Sequence, residues 1–260
     1  MPRALINHPD LWRKVFPQPK ADDHKYKRGH TVILGSTDYT GATRLAAEAC
    51  SRVGSGLVTV LSADQAQLLY RATLPADIMV KSGPLSRIRQ PSVLLAGPGG
   101  CDDAQAGIVT DAPVNLTLVL DADAIRLSPK VSARSVILTP HHGEFEGHIG
   151  AVSTDAIADV CKAAQVRRQI IVLKGPETLI AAPDGRLAVN RTASPYLAKA
   201  GTGDVLSGLI AGLAAQGMPP FEAACAGVWL HGSAGQRIGA GLIPQDLIAD
   251  VPALLRALAV

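Results

Sequence analysis

The sharpest chemical signal in the chain is the run Ala200-Gly201-Thr202-Gly203-Asp204-Val205-Leu206-Ser207-Gly208. Two glycines precede a segment that is apolar almost all round (Val205, Leu206, Leu209, Ile210, Ala211, Leu213), which predicts a buried helix. Glycine permits positive φ and close backbone approach. Successive N–H groups at a helix start suit a phosphate or a developing anion, so Gly201, Thr202 and Gly203 are the expected anion hole. Asp204 is placed to act as a base toward a substrate hydroxyl. Asp is also a preferred N-cap, and the motif alone leaves both roles open.

Four other stretches carry groups that could serve such a site. Gly97-Pro98-Gly99-Gly100 would let backbone approach a ligand, or is an ordinary turn. Asp121 and Asp123 have the spacing to hold Mg²⁺ or its waters, or form a turn in which one Asp caps. Thr139-Pro140-His141-His142-Gly143-Glu144 offers two imidazoles and a carboxylate. Adjacent histidines seldom converge on one ion and no HExxH spacing is present, so this reads as a polar ligand loop or a surface turn, and no metal ligand is assigned. Lys174-Gly175-Pro176-Glu177-Thr178 could bring a cation and a hydroxyl to a phosphate, or lie in solvent.

These residues need a frame that brings them to one edge. Short apolar runs at Thr31–Gly35, Leu57–Leu61, Val93–Ala96, Leu116–Leu120, Val136–Leu138 and Ile170–Leu173 predict strands. Helical patterns lie between several of them, at Ala42–Val53, Asp64–Ala72, Asp103–Thr110 and Thr154–Arg167. This alternation predicts an α/β fold with a mostly parallel central sheet flanked by helices on both faces, three layers in all. Thr178–Ala182 and Leu187–Asn190, joined through Asp184-Gly185, read as a β-hairpin. Three helices follow: Asp204–Gln216, Pro220–Ile238 and Pro244–Ala257. In open α/β sheets ligands bind at the carboxyl ends of strands, and the chemistry-bearing stretches fall at such ends.

Residues 1–28 are polar, with Pro9, Pro17 and Pro19 among them. They read as an arm or linker, with Trp12 and Phe16 available to pin it, leading into one domain over 29–260. A net charge of +3 and 3% aromatic residues give no nucleic-acid signature. No apolar stretch reaches transmembrane length and no secretory signal pattern opens the chain. Four cysteines without a CxxC pair read as reduced thiols. A cytoplasmic enzyme is expected.

Taken together these segments resemble the NAD(P)H-hydrate dehydratase family of the ribokinase-like superfamily. The matching stretches are residues 24–60, LLAGPGG at 94–100, LDADAI at 120–125, LTPHHGEF at 138–145, VLKGPETLI at 172–180 and AGTGDVLSGLIAGLAAQG at 200–217. The resemblance implies a ribokinase-like fold and dehydration of hydrated NADH or NADPH (NADHX, NADPHX) with ADP or ATP as co-substrate and Mg²⁺ as cofactor. It implies that Lys174, Gly175, Pro176, Glu177, Thr178 and Gly203 hold the nucleotide. It implies that Ala42, Gly99, His141 and Asp204 contact the hydrate, with Asp204 as the base. It also points to a homo-oligomer, a tetramer favoured, and to an NAD(P)HX epimerase, fused or separate, as partner; the chain reads as a stand-alone enzyme or as half of such a fusion.

Three positions depart from the family pattern. His142 stands where Pro is usual, and Ser194 and Lys199 where small residues are common. A kinase of the same superfamily, acting on a vitamin precursor or a sugar, would share Gly201–Asp204 but release a stable phosphoester. A non-catalytic nucleotide-binding regulator would need the base lost, and Asp204 is present.

Overall fold

The computed structural model describes residues 4–258. Ten strands form one sheet: β1 (Ala4–Ile6), β2 (His30–Gly35), β3 (Leu57–Ser62), β4 (Ile78–Lys81), β5 (Val93–Ala96), β6 (Thr117–Leu120), β7 (Ser135–Leu138), β8 (Ile170–Leu173), β9 (Thr178–Ala181) and β10 (Leu187–Asn190). Their spatial order is β1-β10-β9-β8-β7-β6-β5-β2-β3-β4. Every neighbouring pair is parallel except the two that involve β9. Strand ends β8, β7, β6, β5 and β2 therefore open side by side on one edge.

Alternate side chains along a strand point to opposite faces. Ile33, Val60, Leu95, Val119, Ile137 and Val172 join one core. Val32, Leu34, Leu94, Leu118, Leu138 and Ile171 join the other. The first core is covered by α1 (Thr40–Arg52), α6 (Thr202–Ala215), α7 (Pro220–Ile238) and α8 (Pro244–Leu258), the second by α3 (Asp103–Thr110), α4 (His142–His148) and α5 (Ala156–Arg167). A further helix, α2 (Asp64–Thr73), packs by β3 and β4. Both sheet faces are thus dry, as the continuous apolar strands require.

Helix α6 is buried almost throughout. It lies against α1 through small residues, with the Cys50 thiol donating to the Gly208 carbonyl at 3.0 Å. That contact sets the position of the Gly201–Asp204 turn relative to α1.

The six strands, the hairpin and the α/β alternation agree with the sequence expectation. Two strands have no counterpart in it. Ile78–Lys81 is a short edge strand whose apolar run is cut by Lys81. Ala4–Ile6, inside the span read as an arm, pairs in parallel with β10. Trp12 is 1% exposed, stacks near Phe16 and Trp229 at 5.4 and 5.8 Å, and donates to Asn7, whose amide in turn reaches Asn190 and the Cys225 carbonyl. Leu116 and Thr154 fall just outside the elements expected to include them.

Candidate active site

At the carboxyl ends of β8, β7 and β6 the site is built from charge. The β7–β8 pairing runs on past the strands: the Lys174 N–H donates to the Pro140 carbonyl at 2.8 Å, and His141 bridges Lys174 in parallel. The Lys174 ammonium then turns onto the Asp121 carboxylate at 3.0 Å and the Glu144 carboxylate at 3.6 Å. Asp121 is 3% exposed. Burial alone would lower the Lys174 ammonium, but the two carboxylates outweigh it and hold it above its usual value. Lys174 is therefore a fixed, paired charge.

His141 caps α4. Its backbone N–H donates to Glu144 Oε2 at 2.7 Å, and the Glu144 N–H donates to His141 Nδ1 at 3.2 Å. This reciprocal capping box holds Glu144 beside Lys174 and makes Nδ1 an acceptor, leaving Nε2 as the donor face of the ring. The stretch expected to be a loop or turn is thus a short helix with His141 as its N-cap, because Glu144 sits at the third helical position.

At the ends of β2 and β5 the contacts are hydroxyls and backbone. The Ser36 hydroxyl donates to the Gly99 carbonyl at 2.7 Å and accepts from the amides of Asp38 and Tyr39. Thr43 accepts from the Ser36 amide and donates to the Pro98 carbonyl at 3.1 Å. Gly99 has φ +88, and a Cβ there would stand 2.6 Å from the Tyr39 carbonyl oxygen. The Tyr39 carbonyl against Gly99 is the one that accepts from the Ala42 N–H, on the first turn of α1, at 3.1 Å.

The Gly201–Asp204 turn joins the two ends. Gly201 has φ +94, and a Cβ on it would meet Leu45 of α1 at 2.8 Å and Pro244 at 2.9 Å. On the other side, Lys174 Nζ lies 3.7 Å from where a Cβ would stand on Gly203. The cap of α6 is Gly201, with no side-chain cap bond. Asp204 is thus not an N-cap, and its carboxylate is left over for other work. Burial first, and then the Asp121 charge, push its carboxyl up to about 7, with Lys174 acting the other way. A carboxylate tuned near neutrality is suited to general-base work.

Of the three residues expected to line an anion hole, Thr202 spends its amide on the Lys199 carbonyl at 3.3 Å. Its hydroxyl turns to the carbonyls of Leu197 and Lys199. Gly203 and Asp204 precede the first intrahelical bond, from Val205 N–H to the Gly201 carbonyl, so their amides take no intrahelical partner.

The NAD(P)H-hydrate dehydratase family model matches residues 30–251. The chain belongs to the NAD(P)H-hydrate dehydratase family. The ADP-dependent (S)-NAD(P)H-hydrate dehydratase of Neisseria meningitidis is 36% identical over 90% of this chain and 87% of its own length. The bifunctional NAD(P)H-hydrate repair enzyme Nnr of Moorella thermoacetica is 35% identical over 95% of this chain and 53% of its length. The chain spans about half the length of such bifunctional relatives. Among solved structures, the ADP/ATP-dependent NAD(P)H-hydrate dehydratase of Bacillus subtilis, co-crystallized with ATP/Mg²⁺, matches with a TM-score of 0.87 at 27% identity, covering 98% of this chain and 99% of that one. The fold is ribokinase-like and is shared, at 14% identity, with Thermotoga maritima ribokinase.

The geometry sorts the residues singled out in the sequence. Asp204, Gly203, Lys174, Asp121 and Glu144 come together, with His141 beside them. Gly99 lies apart from them at the β2–β5 end, against Ser36 and the Tyr39 carbonyl, with Ala42 on the adjoining first turn of α1. Asp121 and Asp123 do not share a site: Asp121 is buried on Lys174, whereas Asp123 is exposed, because Ala122, at φ 43, turns the chain between them. In the Lys174–Thr178 segment, Gly175 lies against the His142 ring, Pro176 and Glu177 are exposed with Glu177 held by Arg191 at 2.8 Å, and Thr178 is buried, its hydroxyl near the Gly175 carbonyl. The roles of Glu144, Ser36 and Thr43 as braces were not foreseen. The spacing His141-x-x-Glu144 before an apolar Phe145 was the available signal for the first.

Proposed function

We propose that this chain dehydrates (6S)-NADHX and (6S)-NADPHX to NADH and NADPH, consuming ADP or ATP. The observation that carries this reading is Asp204: a half-buried, uncapping carboxylate tuned to about 7, at the glycine turn of a chain in this family. The hydrate lies between Ala42, Gly99, His141 and Asp204. The nucleotide lies along Lys174–Thr178 and Gly203.

Asp204 takes the proton of the substrate hydroxyl. The freed oxygen attacks the terminal phosphorus, and the bond from that phosphorus to the bridging oxygen breaks, releasing AMP from ADP or ADP from ATP. The amides of Gly201, Gly203 and Asp204 face the charge that develops on the phosphoryl oxygens. Phosphate then leaves with the C–O bonding pair as the ring nitrogen donates its lone pair. Loss of a proton from the neighbouring carbon restores the dihydronicotinamide. Phosphorylation is needed because hydroxide is a poor leaving group.

Among the described residues no three His, Cys, Asp or Glu side chains gather around a metal position, and Asp121 is taken by Lys174. These residues thus leave Mg²⁺ to the co-substrate, where it would neutralise the nucleotide phosphates. A homo-oligomer in the cytoplasm, a tetramer favoured, and an epimerase partner, fused or separate, that feeds in the S hydrate complete the proposal. Among the described residues no helix is long and apolar enough to cross a membrane.

The test is incubation with NADPH hydrate plus ADP or ATP, following absorbance of the regenerated dihydronicotinamide. NADPH should form only with nucleotide present. A stable phosphorylated product without NADPH would make the chain a kinase instead.

A further inference from the structure

Helix α7 carries one imidazole that this chemistry does not use. His231 is 9% exposed, and its Nε2 lies 2.9 Å from the Thr202 carbonyl oxygen. A carbonyl only accepts, so Nε2 carries the hydrogen and donates. Burial above all, with Lys174 adding to it, pushes the ring down to about 4. Near neutral pH the donor is thus an uncharged imidazole, and it adds no further positive charge beside Lys174.

The atom that His231 grips matters. Thr202 O and Gly203 N belong to one peptide unit, which is planar. Fixing the oxygen end of that plane fixes the direction of its N–H end, and a donor on the oxygen polarises the N–H through the amide. Gly203 has no side chain to hold it, and its neighbour is the Lys174 ammonium, 3.7 Å from where its Cβ would stand. The Thr202 hydroxyl, bonded to Leu197 O at 2.7 Å and Lys199 O at 2.8 Å, anchors the same residue from the other side.

We infer that His231 is a positioning residue: through the Thr202 carbonyl it aims and polarises the Gly203 N–H, which meets the negative charge of the transferring phosphoryl group. The relay runs His231 Nε2–H to Thr202 C=O, across the peptide, to Gly203 N–H and then to the anion. It rests on the functional reading given above for its catalytic consequence, but its structural core stands independently.

Two variants separate this from simple packing. His231→Phe keeps a ring and removes the donor. His231→Gln replaces the ring and keeps an N–H at similar reach. Misaligning one anion-hole donor should cost part of the ~10²–10³-fold that its removal costs. His231→Phe should therefore lower kcat roughly 10- to 100-fold, with KM for the hydrate and for ADP nearly unchanged, and His231→Gln should recover most of the loss. Independently of turnover, the Gly203 amide resonance of the ligand-free protein should move in His231→Phe and stay near the wild-type position in His231→Gln. Equal loss in both folded variants, a raised KM with kcat intact, or an unmoved Gly203 resonance in His231→Phe would overturn the inference. If the wild-type protein turns over no hydrate, the functional reading fails, and the resonance arm alone then decides the relay.

Discussion

At the β8–β6 end of the sheet's carboxyl edge, Lys174, Asp121, Glu144 and Asp204 are crowded into a largely buried cluster. At the β5–β2 end, Ser36, Thr43, Pro98 and Gly99 meet through hydroxyls and backbone. The first end holds charges whose mutual fields set protonation states. The second is shaped by what is missing: a Cβ on Gly99 would be 2.6 Å from a carbonyl oxygen. Substitutions at the two ends should therefore fail in different ways, by loss of rate or phosphate affinity at one and by loss of room for the hydrate at the other.

The largest effect is expected for Asp204→Asn. A general base typically contributes ~10²–10⁴-fold, and kcat should fall by that order while nucleotide affinity holds. In the wild type kcat/KM should rise with pH to a plateau, half-way near the value of about 7 pushed up by burial and Asp121. The same shift has a sign for stability. A carboxyl raised in the folded state stabilises below its unfolded pKa and loses that contribution as pH rises through 7. The shift from 3.8 to about 7 corresponds to at most roughly 4 kcal/mol. Asp204→Asn should thus be more stable than wild type at pH 8, which denaturant unfolding checks. A variant that is both active and no more stable would remove Asp204 from the centre of the charged end.

Lys174→Met tests the same end from its cation. It strands Asp121, 3% exposed, and breaking such a pair typically costs about 3–5 kcal/mol. Under the proposed function Lys174 also meets the nucleotide phosphates, and losing that charge-assisted contact should weaken ADP binding about ten- to a hundredfold. Because Lys174 acts to lower the Asp204 carboxyl, the rising limb of the pH profile should move to higher pH. An unmoved limb in a folded variant would show that Lys174 does not feel the base.

Gly99→Ala tests the uncharged end. Its Cβ must displace the Tyr39 carbonyl or Ser36, and φ +88 is strained for an L side chain. KM for the hydrate should rise about tenfold, with ADP affinity by calorimetry unchanged. Weakened ADP binding with an unchanged KM would mean that nucleotide and hydrate occupy the opposite ends.

The sequence made the sheet legible because its strands are continuous apolar runs, which only a sheet covered on both faces can bury. The Gly201–Asp204 turn was legible for a similar reason: two glycines before a helix that is apolar almost all round satisfy no ordinary surface role. Pairings were harder to read. Nothing in the spacing of Asp121, Glu144 and Lys174 says that they meet, since contact comes from three adjacent strand ends. Ala4–Ile6 and Ile78–Lys81 were hidden because a short edge strand needs few apolar residues. His231, a single imidazole inside an apolar helix, gave no pattern at all until its partner carbonyl was in view.

The most direct measurement is the stoichiometry of one reaction mixture: NADPH hydrate, Mg²⁺ and ADP, with AMP, phosphate and NADPH counted together in wild type and Asp204→Asn. Wild type should yield the three in equal amounts, and the variant should yield almost none of them. NADPH formed without matching AMP and phosphate, or in equal yield by Asp204→Asn, would contradict a phosphorylation–elimination pathway that begins at Asp204.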